Sequence, residues 1–272
     1  MLLDCLVNGE LLKLVPATDR GLNYGDGLFE TLAVIQGQPR WWQDHMDRLA
    51  LSCDCLGMQM PAQAVLLREV QTVSAGTQKC AAKIVLTRGA GGRGYAPQAG
   101  MEPTRIVSAH EWPSGIENDA LQGVEGRTCD IKLGIQPELG GMKHLNRLEQ
   151  VLASAEMTDH EASEGIMLDT ADHVISAIAS NLFMVYQQQL MTPRLDRCGV
   201  RGVLRGRILK IMKKRCELRR ISHDMLAGAS EVFLCSSLRG IVPLRKLDNV
   251  DYAIGSVTRE LQGWLEASVG NR

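Results

Sequence analysis

Apolar residues recur at helical spacing in several stretches of the chain. The clearest stripe runs through Met46, Leu49, Cys53 and Leu56, as in a helix that buries one face in a core. The same spacing predicts helices over Trp42–Leu56, Ala62–Ser74, the residues after Lys143, Val203–Cys216 and Val257–Leu265.

Short apolar or alternating runs, bounded by turn residues, predict strands between these helices. The runs are Leu2–Val7, Leu28–Gln36, Ala82–Arg88, Arg105–His110, Gly165–Leu168, Asn181–Tyr186 and Glu231–Cys235, with a further alternation at Ile131, Leu133 and Ile135. Strands and helices mix without the regular alternation of a doubly wound sheet. The pattern therefore predicts a mixed α+β or α/β fold.

A chain of 272 residues is long for one compact core and suits two modest domains. The turn residues Pro113-Ser114-Gly115 mark the expected boundary. We expect a smaller N-terminal α/β domain over 1–114, a linker over 115–122, and a larger C-terminal domain over 123–272 that carries Lys143.

Composition argues against several classes of function. With 30 basic and 31 acidic residues the net charge is -1, which gives no electrostatic footprint for nucleic acid or a membrane surface. The basic run Lys210–Arg220 is interpreted as a solvated helix face. Eight cysteines without metal-ligand spacing indicate reduced thiols in the cytoplasm. Residues 1–9 have no long apolar core, so we expect neither a signal peptide nor a membrane span.

Lys143 is the residue with the clearest chemical potential. It is followed by Leu145, Leu148, Leu152 and Ala155 at helical spacing, so we expect it just before a helix that packs into a core. Desolvation beside apolar surface favours the neutral amine, which is a nucleophile and a base. The alternative is a lysine whose ammonium group reaches water from the start of the helix.

Five segments, in the same order along the chain, resemble those of aminodeoxychorismate lyases. The segments are Asp19–Thr31, Thr87–Tyr95, Gly141–Leu152, Ser180–Phe183, and Thr192–Asp196 with Gly202–Arg205. These lyases belong to the fold type IV pyridoxal phosphate enzymes, together with D-amino-acid and branched-chain aminotransferases. The resemblance implies their two-domain architecture and a homodimer, with the site near the domain boundary and the subunit interface.

The resemblance also implies pyridoxal phosphate as cofactor, with Lys143 forming the Schiff base. Arg48 is implied as a phosphate ligand, and a guanidinium suits that task. The other implied phosphate ligands are the start of a helix at Val203 and Leu204 and the polar turn at Ser236 and Ser237. Free N–H groups at a helix start attract anions. Taken without the resemblance, these are an ordinary surface arginine, a helix entry and a polar loop.

Ser176 is a departure from the family pattern. The relatives have a glutamate five residues before the position of Asn181, where it keeps the pyridine nitrogen of the cofactor protonated. A serine hydroxyl cannot hold that proton with comparable strength, so we expect a weaker electron sink. The hypothesis is that Ser176 leaves the nitrogen mostly neutral and favours elimination over transamination. Asn181 itself is interpreted as structural, tying loop backbone beside the cofactor.

The implied reaction converts 4-amino-4-deoxychorismate into 4-aminobenzoate and pyruvate, a step of folate synthesis. Lys143 would act as the general base. Thr31, which matches a threonine of the lyases, would pass a proton to the leaving enolpyruvyl group; the alternative is a strand residue of high β-propensity. Arg88 and Arg93 flank a glycine-rich loop and are the candidates for binding the two substrate carboxylates, or else charges of a mobile surface loop.

Two other functions stay open at this point. One is a fold type IV aminotransferase that acts on D-amino or branched-chain amino acids, against which the lyase-like lysine segment and Ser176 argue. The other is a non-catalytic relative that keeps the scaffold. Retention of Lys143, Arg48 and the glycine turns argues for a working cofactor site. Asn146 and Arg147 are further candidates for facing the substrate. We expect no metal, nucleic acid or membrane as partner.

Overall fold

The computed structural model describes residues 1–11, 14–158 and 162–270. Its contacts divide the chain into two units. The first unit comprises Met1–Ser114 together with Met142–Asn146, and the second comprises Gly115–Gly141 together with Arg147–Arg272.

The first unit is built on a five-stranded antiparallel sheet with the strand order β1-β5-β4-β2-β3. Its strands are β1 (Leu2–Val7), β2 (Gly27–Ile35), β3 (Gln38–Pro39), β4 (Lys79–Thr87) and β5 (Thr104–Glu111), and its helices are α1 (Arg20–Tyr24), α2 (Trp42–Leu56) and α3 (Gln63–Val73). The apolar stripes of α2 and α3 pack against one face of this sheet, where Leu32, Ile84 and Val107 are fully buried.

The second unit is built on a ten-stranded sheet in which β9, β13 and β14 are central. Its elements are α4 (Ile116–Gln122), β6 (Val124–Thr128), α5 (Leu148–Thr158), β7 (Glu164–Leu168), β8 (His173–Ala177), β9 (Asn181–Tyr186), β10 (Gln189–Pro193), α6 (Val203–Met212), β11 (Cys216–Arg219), β12 (Ile221–Ser222), α7 (His223–Ala227), β13 (Glu231–Ser236), β14 (Gly240–Leu247), β15 (Val250–Asp251) and α8 (Ser256–Gly270). One core cluster surrounds Leu182 and Leu234, and another surrounds Met167 and Ile175. None of the described helices is long and apolar enough to cross a bilayer.

The predicted mixed α+β fold is confirmed, and most predicted elements are present. The helix Trp42–Leu56 and the strand Asn181–Tyr186 have the predicted bounds. These elements were predictable because each has one dominant apolar period and a clear turn at its end.

Two predicted elements are wrong. The alternation at Ile131, Leu133 and Ile135 does not form a strand; only Leu133 makes an isolated bridge, to Asp169. The predicted helix to Cys216 ends at Met212, because Lys213 takes a left-handed φ of 44°, which few L-residues adopt. The basic run Lys210–Arg220 is therefore not one helix face: it passes through a 3₁₀ turn into β11.

The contacts also divide the chain differently from the expected domains. The residues 115–122, expected as a linker, contain the helix α4 and belong to the second unit. Lys143, expected in the C-terminal domain, groups with the first unit. The physical reason is backbone hydrogen bonding between Met142–Asn146 and the start of β2.

The helix after Lys143 does not bury the stripe that predicted it. α5 is present, but Leu148, Val151 and Leu152 are 76%, 59% and 54% exposed, and Ala155 is exposed as well. The opposite face, with Ala153 fully buried, packs into the unit. Helical spacing of apolar residues shows that α5 has an apolar face. It does not show whether the core of the protein or another molecule covers that face.

Candidate active site

The backbone of Lys143 is fixed on the edge of β2. The carbonyl of Lys143 accepts a hydrogen bond of 2.9 Å from the N–H of Phe29, and the N–H of Leu145 donates to the carbonyl of Gly27 at 2.9 Å. This short antiparallel pairing holds the Cα of Lys143 in place.

The side chain of Lys143 crosses the face of an aromatic ring. Its Nζ lies 4.1 Å from the centre of the Phe29 ring, and the side chain is half-buried. Thr31 is two residues along the same strand and therefore on the same sheet face as Phe29. Lys83 on β4 lies directly opposite Thr31, and its Nζ lies 5.2 Å from the same ring centre. An amine, a hydroxyl and a second cation thus share one face of the sheet.

Arg48 is held by a buried carboxylate on the other face of β2. Its Nε donates to Glu30 Oε1 at 2.8 Å, and its Nη2 donates to Glu30 Oε2. His45, one helical turn earlier on α2, contacts Glu30 Oε2 through Nδ1 at 2.7 Å. Burial by itself raises the pKa of Glu30, but Arg48 and His45 outweigh it and lower the pKa from 4.5 to about 2. The carboxylate is therefore ionised at any working pH.

Arg88 is engaged in a structural network. Its Nε donates to Asp26 Oδ2 at 2.8 Å, and its two Nη groups donate to the carbonyls of Leu56 and Gly57 at the C-terminus of α2. These contacts occupy every nitrogen of the guanidinium, which is 12% exposed. The expectation that Arg88 binds a substrate carboxylate does not fit this arrangement, because a cation at a helix C-terminus already neutralises the carbonyl dipoles there.

The glycine-rich loop that carries Arg93 is fastened by Arg20. This arginine is buried and donates from Nη1 to the carbonyl of Gly94 at 2.9 Å and from Nη2 to that of Tyr95 at 2.6 Å. Its Nε shares Asp26 Oδ2 with Arg88. Arg93 is exposed. The contacts of Arg20 therefore fix the backbone directly after Arg93.

The start of α6 offers backbone donors to an anion. Its N-cap is Gly202, no side chain caps the helix, and its first turn has no acidic residue. The predicted structural role of Asn181 is confirmed: it donates to the carbonyl of Val200 at 2.8 Å and accepts from the N–H of Gly202 at 3.0 Å. A Cβ at position 202 would lie 2.1 Å from Asn181 Oδ1, so only glycine fits. The N–H groups of the next residues, Val203 and Leu204, begin the helix.

Ser236 is the last residue of β13, and Ser237 begins the tight turn to β14. The hydroxyl of Ser236 accepts a 3.2 Å hydrogen bond from the N–H of Arg239, which closes the turn. Arg239 is itself fixed by Glu164 at 2.6 Å and Asp119 at 3.2 Å. Burial raises the pKa of Glu164, and the Arg239 guanidinium only partly offsets this. Arg239 therefore anchors the predicted polar turn to Glu164 and Asp119.

Ser176 is a buried residue of β8, paired in register with Met167. Asn146 donates to the carbonyl of Gly25 at 3.2 Å and so supports the end of α1. Burial lowers the pKa of Arg147 to about 10.

Three residues of the first unit were missed by the sequence reasoning: Lys83, Glu30 and His45. The available signal for Lys83 was a cation in the interior of the apolar strand Lys79–Thr87, whose other lysine is its first residue. For Glu30 it was an acid between the apolar residues of β2, since buried carboxylates need partners.

The donors present fit pyridoxal phosphate. The first unit contains an amine over an aromatic ring, Lys143, and a guanidinium held in one plane, Arg48; the second unit contains the uncapped start of α6. These are the protein groups that bind an aldehyde and a phosphate monoester.

Comparisons with known proteins agree with this chemistry. The family model "Amino-transferase class IV" matches residues 27–247. The aminodeoxychorismate lyase of Vibrio harveyi is 34% identical over 264 residues, which is 94% of this chain and 97% of the relative. The D-alanine aminotransferase of Bacillus licheniformis is 25% identical over 97% of this chain and 96% of its own.

Solved structures give the same assignment. The crystal structure of 4-amino-4-deoxychorismate lyase from Pseudomonas aeruginosa superimposes with a TM-score of 0.92 and 43% identity, covering 97% of this chain and 98% of that one. The branched-chain aminotransferase of Escherichia coli, at 23% identity and a TM-score of 0.85, shares the fold. The chain therefore belongs to the class IV aminotransferase family and is a pyridoxal phosphate-dependent enzyme of fold type IV.

Proposed function

We propose that this enzyme is a lyase that converts 4-amino-4-deoxychorismate into 4-aminobenzoate and pyruvate. The observation that carries the proposal is the single sheet face on which Lys143 lies over Phe29 beside Thr31. An amine that removes a proton and a hydroxyl that supplies one are the two protein groups that this elimination requires. The identities of 34% and 43% to two aminodeoxychorismate lyases support the same substrate.

Lys143 has two tasks in this reaction. When bound, pyridoxal phosphate supplies an aldehyde that links to amines and a ring that accepts electrons. Lys143 would hold the aldehyde in the resting enzyme, and its Nζ, when not so engaged, would remove the proton from the substrate carbon that bears the nitrogen. The bond to the enolpyruvyl oxygen would break as the substrate ring becomes aromatic, and 4-aminobenzoate would leave.

Thr31 supplies the proton that turns the leaving enolpyruvyl group into pyruvate. Its position two residues from Phe29 on β2 places it on the face that Lys143 crosses. Water can substitute for a hydroxyl, so Thr31→Val is expected to lower kcat roughly tenfold rather than to abolish it. The measurement is pyruvate release in a coupled assay, with Thr72→Val on α3 as control. Unchanged turnover would remove the assignment.

Lys83 is the cation best placed for a substrate carboxylate in the first unit, and Arg93 is the other candidate. Lys83→Met keeps the length of the side chain but loses the charge, so KM is expected to rise about tenfold with kcat nearly unchanged. Lys79→Met on the same strand is the matched control, because Lys79 also lies over an aromatic ring, that of Trp112. An equal rise of KM in both variants would speak against a specific contact.

The groups proposed as phosphate ligands are Arg48 in the first unit and, in the second unit, the N–H groups of Val203 and Leu204 and the turn at Ser236 and Ser237. The reasons are a fixed guanidinium, an uncapped helix start and a braced polar turn. The same groups would bind the phosphate in a lyase or in an aminotransferase, so they do not distinguish the two reactions.

Ser176 distinguishes the two reactions. It is assigned to the ring nitrogen, where a hydroxyl leaves that nitrogen mostly neutral. Ser176→Glu is expected to place a carboxylate in a buried position and to shift the absorbance of the bound cofactor and its pH dependence, because the added negative charge favours the protonated nitrogen. Absorbance spectra of both proteins between pH 6 and 9, roughly the range in which such sites titrate, provide the test. Identical spectra and activity would refute the hypothesis.

The function as a whole is tested with purified enzyme and 4-amino-4-deoxychorismate. Pyruvate and 4-aminobenzoate are expected in equal amounts, and borohydride reduction should fix the cofactor on the peptide that contains Lys143. Exchange of amino groups with α-keto acids, without pyruvate formation, would instead identify an aminotransferase. Absence of any cofactor band would identify a non-catalytic relative.

The enzyme is further proposed to be a cytoplasmic homodimer. The support is the exposed apolar stripe Leu148, Val151 and Leu152 on α5, which a second copy would cover. The eight free thiols suit a reducing compartment. Light scattering gives the mass in solution, and a monomer at micromolar concentration would contradict the dimer.

A further inference from the structure

A carboxylate and an imidazole, both fully buried, converge on one arginine of the first unit. The side chains of Glu30 and His45 are 1% and 0% exposed, whereas that of Arg48 is 13% exposed. Two nitrogens of Arg48 contact the two oxygens of Glu30, and His45 Nδ1 contacts one of them at 2.7 Å. The buried groups thus hold a cation that itself reaches the surface of the unit.

This geometry fixes the plane of the guanidinium. A carboxylate that accepts from Nε and Nη2 together forms a two-point contact, so rotation about the last bonds of the arginine is blocked. The carboxylate is ionised and carries no proton, so the hydrogen between it and His45 belongs to Nδ1. His45 therefore locks the carboxylate in turn.

The second ring nitrogen of His45, Nε2, does not contribute to the contact with Glu30. His45 Nε2 is buried and has no hydrogen-bond partner among residues 1–11, 14–158 and 162–270. A buried polar atom without a partner is costly and rare in folded proteins. Among the described residues the ring therefore makes its polar contact with Glu30 through Nδ1 alone.

We propose that Glu30 and His45 are positioning residues that hold the Arg48 guanidinium ready for the phosphate of the cofactor. The inference rests on the proposed function, in which Arg48 binds that phosphate. An arginine on a free stem loses rotamer freedom when it binds, whereas one already held in a plane loses little. Glu30 and His45 are therefore expected to strengthen binding of the phosphate and to leave binding of the aldehyde and the ring unchanged.

The test compares two ligands that differ only in the phosphate. Apoenzyme is titrated with pyridoxal phosphate and with pyridoxal. The readout is the ratio of the two affinities, that for pyridoxal phosphate divided by that for pyridoxal. Glu30→Gln and His45→Leu are expected to lower this ratio about tenfold, mainly by weakening pyridoxal phosphate. His45→Asn, whose amide N–H replaces Nδ1–H, is expected to restore most of it.

A second buried pair in the same unit provides the matched control. Arg105 contacts Glu69 through Nε and Nη2, each at 3.0 Å, and Glu69 is 7% exposed. Glu69→Gln also breaks a two-point carboxylate–arginine contact, and it is expected to leave the ratio within about twofold of the wild type. If Glu30→Gln fails to fold, the two His45 variants decide.

The outcomes separate the two levels of the proposal. A ratio that falls in the Glu30 and His45 variants but not in Glu69→Gln supports positioning. An unchanged ratio in these variants overturns positioning and leaves the lyase function standing. An unchanged ratio in Arg48→Met also overturns it, because Arg48 then does not bind the phosphate. A wild-type protein that binds neither ligand refutes the proposed function together with the inference.

Discussion

Replacing Lys143 by arginine is expected to lower turnover by about a thousandfold or more. Arginine keeps the positive charge and the length of the side chain, and it can still lie on the Phe29 ring, where Lys143 Nζ is 4.1 Å from the ring centre. A guanidinium stays protonated in proteins, so it is neither a nucleophile for an aldehyde nor a general base. The loss therefore reports the amine itself.

The measurement follows pyruvate and 4-aminobenzoate under single-turnover and steady-state conditions. Lys79→Arg is the control, since the Nζ of Lys79 also lies over an aromatic ring, that of Trp112. The variant at 143 should also lose the band that borohydride reduction removes. Turnover within tenfold of the wild type would show that another group performs the chemistry.

Replacing Glu30 by glutamine is expected to destabilise the protein by about 3 to 5 kcal/mol at neutral pH, the usual cost of breaking a buried ion pair. The loss leaves Arg48 largely buried without a full countercharge. Glu125→Gln, which breaks the half-exposed pair with Arg245, is the control and should cost less than about 1 kcal/mol. Urea denaturation measures both free energies of unfolding.

The loss of stability caused by Glu30→Gln is expected to depend on pH. The pKa of Glu30 is lowered from 4.5 to about 2 in the folded protein, so its ionisation stabilises the fold fully above pH 4.5 and progressively less as the pH falls towards 2. The difference between wild type and Glu30→Gln should therefore shrink across that window. A difference that stays constant from pH 7 to pH 3 would contradict the ion pair as its source.

The sequence was most informative where one residue or one period decides the outcome. The place of Lys143 before a helix and the role of Asn181 beside Gly202 were both predictable, because each depends on neighbours within a short segment or on a motif. The helix Trp42–Leu56 was predictable for the same reason.

Pairings over long sequence separations were not predictable. Arg88 looked like a substrate ligand because its acceptors, the carbonyls of Leu56 and Gly57, lie more than thirty residues away. Glu30 finds Arg48 only after α2 folds against β2. The stripe on α5 was correctly identified as apolar, but its period is the same whether a core or a second molecule covers it.

Asp26 joins two separate segments of the first unit through two arginines. One of its oxygens receives the Nε groups of both Arg20 and Arg88; burial raises its pKa, but the two arginines outweigh this and lower it. Through them a single atom ties the backbone at Gly94 to the end of α2. Loss of the carboxylate at position 26 would therefore loosen the glycine loop and the end of α2 together.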